Sequence, residues 1–165
     1  MKAYEYIKRS FRANLKSKLI GWRRSNSIER LEKPSDIGKA RMLGYKDKKG
    51  FIIVRVRLKR GGRKRPKRKK GRRSVRQTIH KNLSMNYRGV AESRAGRKYD
   101  NLEVLNSYQV GKDGRHYFFE VILVDPARPE IQADKTINWI CNQNNKNRAL
   151  RGLTWAGKKA RGLKA

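Results

Sequence analysis

The residues most able to do chemistry in this sequence are the lysines and arginines of one tract, GGRKRPKRKKGRRS, at residues 61–74. From residue 48 to residue 91 the chain carries 18 Lys and Arg residues and no Asp or Glu, and 12 of the 18 fall within residues 59–76. Ammonium and guanidinium groups pair with phosphate, and arginine adds bidentate geometry and stacking on bases. The tract therefore predicts nucleic-acid binding.

A basic run can also be a solvated face or a localisation signal, but this run is longer and denser than the roughly five to eight residues typical of such signals. Fixing its backbone would cost about 1–2 kcal/mol per residue, and it has too few apolar side chains to offset that cost. We expect residues 59–81 to form an extended basic arm that is disordered alone. Phosphate contacts would order it in part, driven by the release of counterions.

Groups that could support catalysis are few and scattered. His80 stands beside the arm and His116 in a predicted strand, where a packed or surface role is the ordinary one. Glu120 and Asp125 could hold magnesium in an RNA-processing enzyme, although charge compensation for neighbouring basic segments explains both. Cys141 is the single cysteine, which excludes an intramolecular disulfide and a cysteine zinc cluster. We expect no enzymatic activity, no bound metal and no cofactor.

Composition limits the possible partners of the chain. Its 165 residues include 45 Lys and Arg against 13 Asp and Glu, and the formal charge of +32 is relieved best by a polyanion. The sequence patterns of the common DNA-reading modules and of RNA-recognition sheets are missing. A general DNA-compacting protein is the alternative to an RNA-binding one. Because the sequence has no apolar run of the roughly 18 residues that span a membrane, we expect a soluble intracellular protein.

The elements that must position these groups begin with an amphipathic helix over residues 1–24. Its apolar stripe recurs at steps of three and four residues and comprises Tyr4, Ile7, Phe11, Leu15, Leu19 and Trp22. A connector with one short helix follows. We expect that helix to be capped at Ser35 or Asp36 and ended by Gly44.

The strand that leads into the arm covers residues 51–58, which are β-branched and alternate in polarity. Its apolar face comprises Val54, Val56 and Leu58. Ile53, Arg55 and Arg57 lie on the other face, which we expect to be wet and basic. The two arginines would then extend the basic surface of the arm onto the strand.

The C-terminal half is predicted to contain a helix from near Ser84, a β-hairpin and a tail. The hairpin covers residues 100–126, with its turn at residues 111–114. Seven acids lie in residues 100–134 against three bases, so this stretch is the part least suited to touching phosphate. The basic, glycine-rich tail, residues 142–165, is expected to be irregular.

Four stretches taken together, KARMLGYK, NSYQVGKDG, EVILVDP and RGLTWAGKKARGL, have the order and spacing of a known family. The chain resembles the large-subunit ribosomal protein fifteen family of eukaryotes and archaea, and its RPEIQADKTINWIC stretch is closer to the archaeal branch. The resemblance implies a non-enzymatic structural protein of the large ribosomal subunit, in the cytoplasm. Its partners would be large-subunit ribosomal RNA and neighbouring ribosomal proteins, with no membrane and no small-molecule substrate.

The resemblance also implies a fold and a set of RNA-binding residues. The fold would be α+β, a small antiparallel sheet packed with helices in a single domain, residues 1–165, with long basic irregular extensions. The RNA-binding residues that the resemblance implies in the arm would be Lys59, Arg60, Arg63, Lys64, Arg65, Lys67, Arg68, Lys69, Lys70, Arg72, Arg73 and Arg76. Those of the RGLTWAGKKARGL stretch would be Arg151, Lys158, Lys159 and Arg161. We expect Arg55 and Arg57 to join them from the predicted basic face of the strand.

Overall fold

A four-stranded antiparallel sheet forms the centre of the protein, in a computed structural model that describes residues 3–64 and 80–163. Its strands, in the spatial order β1-β2-β6-β5, are β1 (Ile28–Leu31), β2 (Phe51–Lys59), β6 (His116–Val124) and β5 (Glu103–Lys112). Two short strands form a separate pair, β3 (Arg63–Lys64) with β4 (His80–Lys81). Together with the helices, the sheet confirms the α+β class.

Helices pack on both faces of the central sheet. The helices of the described residues are α1 (Ala3–Ala13), α2 (Leu15–Arg24), α3 (Ile37–Met42), α4 (Tyr87–Lys98), α5 (Pro129–Gln132) and α6 (Trp155–Ala160), of which α6 contacts α4. Two turns of 3-10 helix, Asn138–Cys141 and Gln143–Asn145, precede α6. In residues 3–64 and 80–163, no helix is both long enough and apolar enough to cross a lipid bilayer.

Strands β5 and β6 form a hairpin, and β6 pairs with β2 along its whole length. The register between β2 and β6 runs from Phe51 opposite Val124 to Lys59 opposite His116. Antiparallel pairing along a full strand fixes which side chains share a face, because successive side chains alternate across the sheet. The pairing also places Lys59, where the arm begins, beside the turn of the hairpin.

Both faces of the sheet are covered by apolar contacts. The face toward α4 buries Val54, Val56, Leu58, Val104, Phe119, Val121 and Leu123 against Ala91 and Ala95. The face toward α1, α2 and α3 buries Ile53, Tyr108, Phe118 and Ile122 with Phe11, Trp22, Ala40 and Tyr45. Removing apolar surface from water stabilises the fold by about 25 cal/mol per Å², so both layers contribute to the core.

Burial of both faces makes the prediction of a wet, basic side on β2 wrong. Ile53 is 1% exposed and Arg55 8%. The Arg55 guanidinium pairs with Glu29 of β1 at 2.5 Å and lies 4.6 Å from the ring centre of Trp22. Arg57 is half-buried and donates a hydrogen bond to a backbone carbonyl of α2. The side chains of a strand alternate between its two faces whether the second face meets water or another layer of the protein. The sequence of β2 therefore does not reveal that α2 covers this face.

The chain folds as two helices, α1 and α2, where the sequence predicts one over residues 1–24. They meet at Asn14, whose Nδ2 donates to Ser10 O at 3.3 Å. Asparagine side chains compete with the backbone for hydrogen bonds and are poor in helix interiors. The apolar stripe still faces the core, because Phe11 and Trp22 are buried. The side chains of Tyr4 and Ile7 lie outside the described residues.

The predicted short helix of the connector is confirmed as α3. Asp36 caps it by accepting a hydrogen bond from Lys39 N at 3.0 Å, and Gly44 follows it with a φ of +96°. A left-handed backbone at this point favours glycine, since it has no Cβ. The connector also contains β1, which the sequence does not predict. A four-residue edge strand carries too little alternation to be recognised.

Candidate nucleic-acid interface

The arm leaves the sheet at the end of β2, and we name its described part, residues 59–64 and 80–81, the arm root. Arg60 holds this root to the hairpin turn. Its backbone N–H donates to Arg115 O at 2.8 Å, and its Nη1 donates to Asp113 O at 2.8 Å. The guanidinium carbon lies 4.9 Å from the ring centre of Tyr117, a cation–π distance. These contacts fix the direction in which the chain leaves the sheet.

A second contact joins the arm root to the start of α4. The Tyr87 hydroxyl donates to Gly61 O at 3.2 Å and lies 3.0 Å from Gly61 N, which donates to it. A Cβ at Gly62 would lie 2.8 Å from Lys81 O, so this position requires glycine for the close pairing of β3 with β4. The outgoing and returning strands of the arm root are therefore held side by side next to α4.

The predicted RNA-binding residues of the arm fall in two sets. Lys59, Arg60 and Lys64 are exposed on the arm root, and only the backbone of Arg63 is described. The remaining residues lie outside the described residues: Arg65, Lys67, Arg68, Lys69, Lys70, Arg72, Arg73 and Arg76. The root thus presents the beginning of the predicted basic arm to solvent.

The C-terminal tail contains a capped helix, α6, so the prediction of an irregular tail is wrong over this part. Thr154 caps the helix, and its Oγ1 accepts a hydrogen bond from Gly157 N at 3.2 Å. A Cβ at Gly157 would lie 2.6 Å from the Cα of Gly152. Glycine lowers helix propensity, which hides this helix in the sequence, but here glycine permits the contact that packs α6 on the preceding turn.

The four predicted RNA-binding residues of this tail lie on α6 or close to it. Arg151, Lys159 and Arg161 are exposed, and Lys158 is half-buried. Each of the two arginines donates from one Nη to a backbone carbonyl at 2.9 Å. A guanidinium has five N–H donors in a fixed fork, so both arginines keep donors for phosphate while their positions are fixed by the backbone.

The arm root and α6 meet at the N-terminus of α4. Asn86 caps α4, its Oδ1 accepting from Gly89 N at 2.7 Å, and its Nδ2 donates to Ala156 O of α6 at 3.0 Å. The next residue, Tyr87, holds Gly61 of the arm root. We name the arm root and α6 together the basic surface, because two segments far apart in sequence become neighbours there. The predicted helix start near Ser84 is two residues too early.

Glu92 of α4 supports the basic surface from behind. It is 1% exposed and accepts hydrogen bonds from Ser107 Oγ and Thr154 Oγ1, both at 2.5 Å. Burial raises the pKa of Glu92, and the hydroxyl donors and the nearby guanidinium groups of Arg88 and Arg148 offset that rise in part. Since Thr154 also caps α6, the carboxylate joins α4, β5 and α6. The sequence indicates Glu92 only as an i,i+4 partner of Arg88, whose Nε lies 3.9 Å from Glu92 Oε1, and does not reveal its contact with Thr154, although the N-cap pattern of Thr154 is a signal for α6.

Most acids of the hairpin region are engaged by other groups of the protein. Glu103 Oε1 accepts from Asn147 N at 2.8 Å, and Asp134 Oδ2 lies 2.6 Å from the Nζ atoms of both Lys46 and Lys48. Hydrogen bonds from these two lysines hold the pKa of Asp134 far below its usual range. These acids balance the charge of neighbouring groups within the protein, and this pairing reduces the repulsion between their carboxylates and a phosphate.

Glu120 and Asp125, the two acids considered for catalysis, have structural partners. Glu120 is buried, where its Oε2 accepts from Tyr108 Oη at 2.5 Å and from Ser35 N at 3.1 Å. Burial raises the pKa of Glu120. Asp125 accepts from a backbone N–H and pairs with Arg128 at 3.4 Å. In residues 3–64 and 80–163, no three His, Cys, Asp or Glu side chains are grouped as a metal site requires.

Gly157→Ala should destabilise the protein by about 1–3 kcal/mol, because the new Cβ would overlap the backbone of Gly152 and push α6 out of place. Urea unfolding followed by circular dichroism measures the change. Gly21→Ala is the matched control: it is also helical, has open space around the new Cβ and should be neutral or slightly stabilising. Equal stability of the two variants would contradict the packing described for α6.

The comparison with known families agrees with the motifs and with the fold. Residues 3–165 match the model of the family described as Ribosomal L15, which covers the sheet, the arm and α6. This family consists of structural ribosomal proteins rather than enzymes. The chain belongs to the Ribosomal L15 family and is a ribonucleoprotein component of the large ribosomal subunit.

Proposed function

We propose that the protein scaffolds large-subunit ribosomal RNA by binding it through the basic surface and the arm that continues from it. The observation that supports this most is the convergence at the N-terminus of α4, where Tyr87 contacts Gly61 and Asn86 contacts Ala156. Two basic segments that the folded body holds in fixed relation can bind two RNA elements and fix the distance between them. A free basic peptide could neutralise phosphate but not position it.

Electrostatic interactions supply the free energy of this binding, and the fold determines which cations are exposed to the RNA. At a formal charge of +32, association with a polyanion releases condensed counterions and relieves self-repulsion. Lys59, Lys64, Lys159, Arg151 and Arg161 are the exposed described groups that would meet phosphate first. Arg55 is removed from the proposed interface, because it is buried against Glu29 and Trp22. Arg57 would contribute only through the exposed part of its side chain.

Within the ribosome, the same arrangement would clamp neighbouring RNA elements during assembly of the large subunit. Neighbouring ribosomal proteins would contact the faces that carry fewer cations, such as residues 100–134 with their seven acids. We place this ribosome in the cytoplasm. No step of this role requires chemistry at a catalytic residue, since binding and positioning are sufficient.

Competition binding tests the proposal. With labelled large-subunit ribosomal RNA bound to the full chain at about 0.15 M salt, unlabelled large-subunit RNA should compete about a hundredfold or more better than duplex DNA of equal nucleotide concentration. Small-subunit ribosomal RNA is the matched control for RNA that is structured but not the target. Equal competition by all three would favour a general nucleic-acid-binding or DNA-compacting protein and contradict the proposal.

A further inference from the structure

A cleft of about 430 Å³ lies between the segment that leads into α4 and the end of α6. It is lined by Leu83, Ser84, Met85, Asn86, Tyr87 and Ala160. Leu83 is 41% exposed and Met85 37%. Burying large apolar side chains is favourable, so two of them left open beside a concave space indicate an occupant.

The polar groups of this cleft are mostly engaged. The Asn86 amide is held by Gly89 N and Ala156 O, and the Tyr87 hydroxyl is held by Gly61. The cleft therefore offers an apolar wall from Leu83 and Met85, with the hydroxyl of Ser84 at its margin. Methionine is polarisable and adapts to flat aromatic surfaces. Such a wall suits a planar ring that needs few directed hydrogen bonds.

The charge around the cleft favours a nucleotide over a protein side chain. One wall belongs to the stretch of residues 48–91, which has no Asp or Glu, and the other to residues 135–165, which also have none. Lys81 precedes the first wall, and Lys159 and Arg161 flank Ala160 in the second. A base that enters the cleft brings a phosphate on each side to meet these cations. An apolar side chain of a protein would bring no such charge.

Trp155, the aromatic residue of α6, is less suited to stack on a base. The Arg88 guanidinium carbon lies 4.7 Å from its ring centre and the Lys159 Nζ lies 5.3 Å from it. These cation–π contacts already use the ring, and they hold Lys159 against it. Leu83 and Met85 are therefore the exposed large apolar side chains that line the cleft.

We propose that this cleft binds one unpaired RNA base, with Leu83 and Met85 against the ring and with Lys81, Lys159 and Arg161 on the flanking phosphates. The inference rests on the proposed RNA-binding function and adds a base-binding site to it. Contact through the faces of bases is tolerant of sequence, because every base has a π-face. The site would thus select an unstacked nucleotide, and so a loop, bulge or single strand, rather than a particular base.

Two probes of equal charge test the inference: a twelve-residue oligoadenylate and a twelve-residue ribose-phosphate oligomer that lacks bases. The full chain should bind the oligoadenylate about tenfold more tightly, because a bound base removes the apolar surface of Leu83 and Met85 from water. Leu83→Ser with Met85→Ser should remove most of that difference without changing the salt dependence. Ile20→Ser with Met42→Ser is the matched control. Both residues are exposed and lie on α2 and α3, which cover the face of the sheet away from α4. This variant should keep the full difference in affinity between the two probes.

The outcomes separate the base site from RNA binding as a whole. If the cleft variant keeps the full difference between the probes, the base site is wrong while RNA binding stands. If the wild-type chain binds neither probe, the proposed function fails together with the inference. If the cleft variant binds both probes like the wild type but is lost from large subunits, the cleft holds a protein segment, which also overturns the inference.

Photo-crosslinking tests the same site without a substitution. An oligonucleotide that carries 4-thiouridine should crosslink to the wild-type chain within residues 82–88, as mapped by mass spectrometry of the tryptic peptides. Crosslinks confined to other peptides would contradict the base site. This outcome does not depend on whether the cleft variant folds, because the experiment uses the wild-type chain.

Discussion

Neutral replacement of Arg63, Lys64, Arg65, Arg68 and Lys69 together should lower the affinity of the full chain for large-subunit ribosomal RNA on the order of a hundredfold near 0.1 M salt. Each lost phosphate contact also reduces the slope of log affinity against log salt by about one. A slope smaller by about three to five is therefore expected. Filter binding at a series of salt concentrations measures both quantities.

The control for this prediction removes the same charge elsewhere. Five exposed residues away from the basic surface serve for it: Arg30, Lys33, Lys39, Lys49 and Lys135. Replacing these five residues by neutral ones lowers the net charge by the same amount as the arm variant does. Most of the slope of log affinity against log salt should nevertheless remain. An equal effect of the two sets would mean that net charge alone drives binding, and that the arm has no special role.

Glu92→Ala should cost about 3–5 kcal/mol of unfolding free energy, the largest stability effect that we expect from one substitution. The carboxylate is buried, with Ser107 and Thr154 donating to it and Arg88 nearby at 3.9 Å. Its removal leaves these groups without their shared partner and frees the cap of α6. Urea unfolding of the full chain measures the cost. A loss below about 1 kcal/mol would contradict the role given to Glu92.

Glu92→Gln keeps the shape of the side chain but removes its titratable carboxyl group, so it separates the effect of charge from the effect of shape. Because burial raises the pKa of Glu92, the folded protein binds its proton more readily than the unfolded chain does. This group alone therefore stabilises the fold most at low pH, and the stabilisation falls as pH rises from about 4 through the folded pKa. Glutamine has no such proton. The stability of the wild type relative to Glu92→Gln should fall as pH rises, and a relative rise would contradict this sign.

The sequence predicts those parts of the fold whose signals are local. Apolar spacing identifies the face of α1 and α2 that meets the core, and Asp36 with Gly44 marks the short helix α3. The flanking β-rich runs likewise indicate the hairpin of β5 and β6. In each case a few adjacent residues carry the relevant propensity or cap, so no tertiary information is needed.

Contacts between distant segments could not be predicted in the same way. Arg55 alternates as a surface residue would, yet α2 and Glu29 bury it. Tyr87 and Asn86 have no pattern that announces a contact with Gly61 or Ala156, although these contacts bring the two basic segments together. Charge density predicts the class of partner for the candidate site, a polyanion, but only the packing of α4 and α6 shows where the parts of the site lie relative to each other.

Directed hydroxyl-radical probing tests most directly whether the arm root and α6 form one RNA-binding surface. In a Cys141→Ser background, an iron chelate is attached to Lys81→Cys or to Lys159→Cys, and each protein is assembled into large subunits. We expect overlapping cleavage sites on the large-subunit ribosomal RNA, because each position lies within two residues of the lining of the same cleft. Cleavage in separate regions of the RNA, or none from either position, would contradict this expectation.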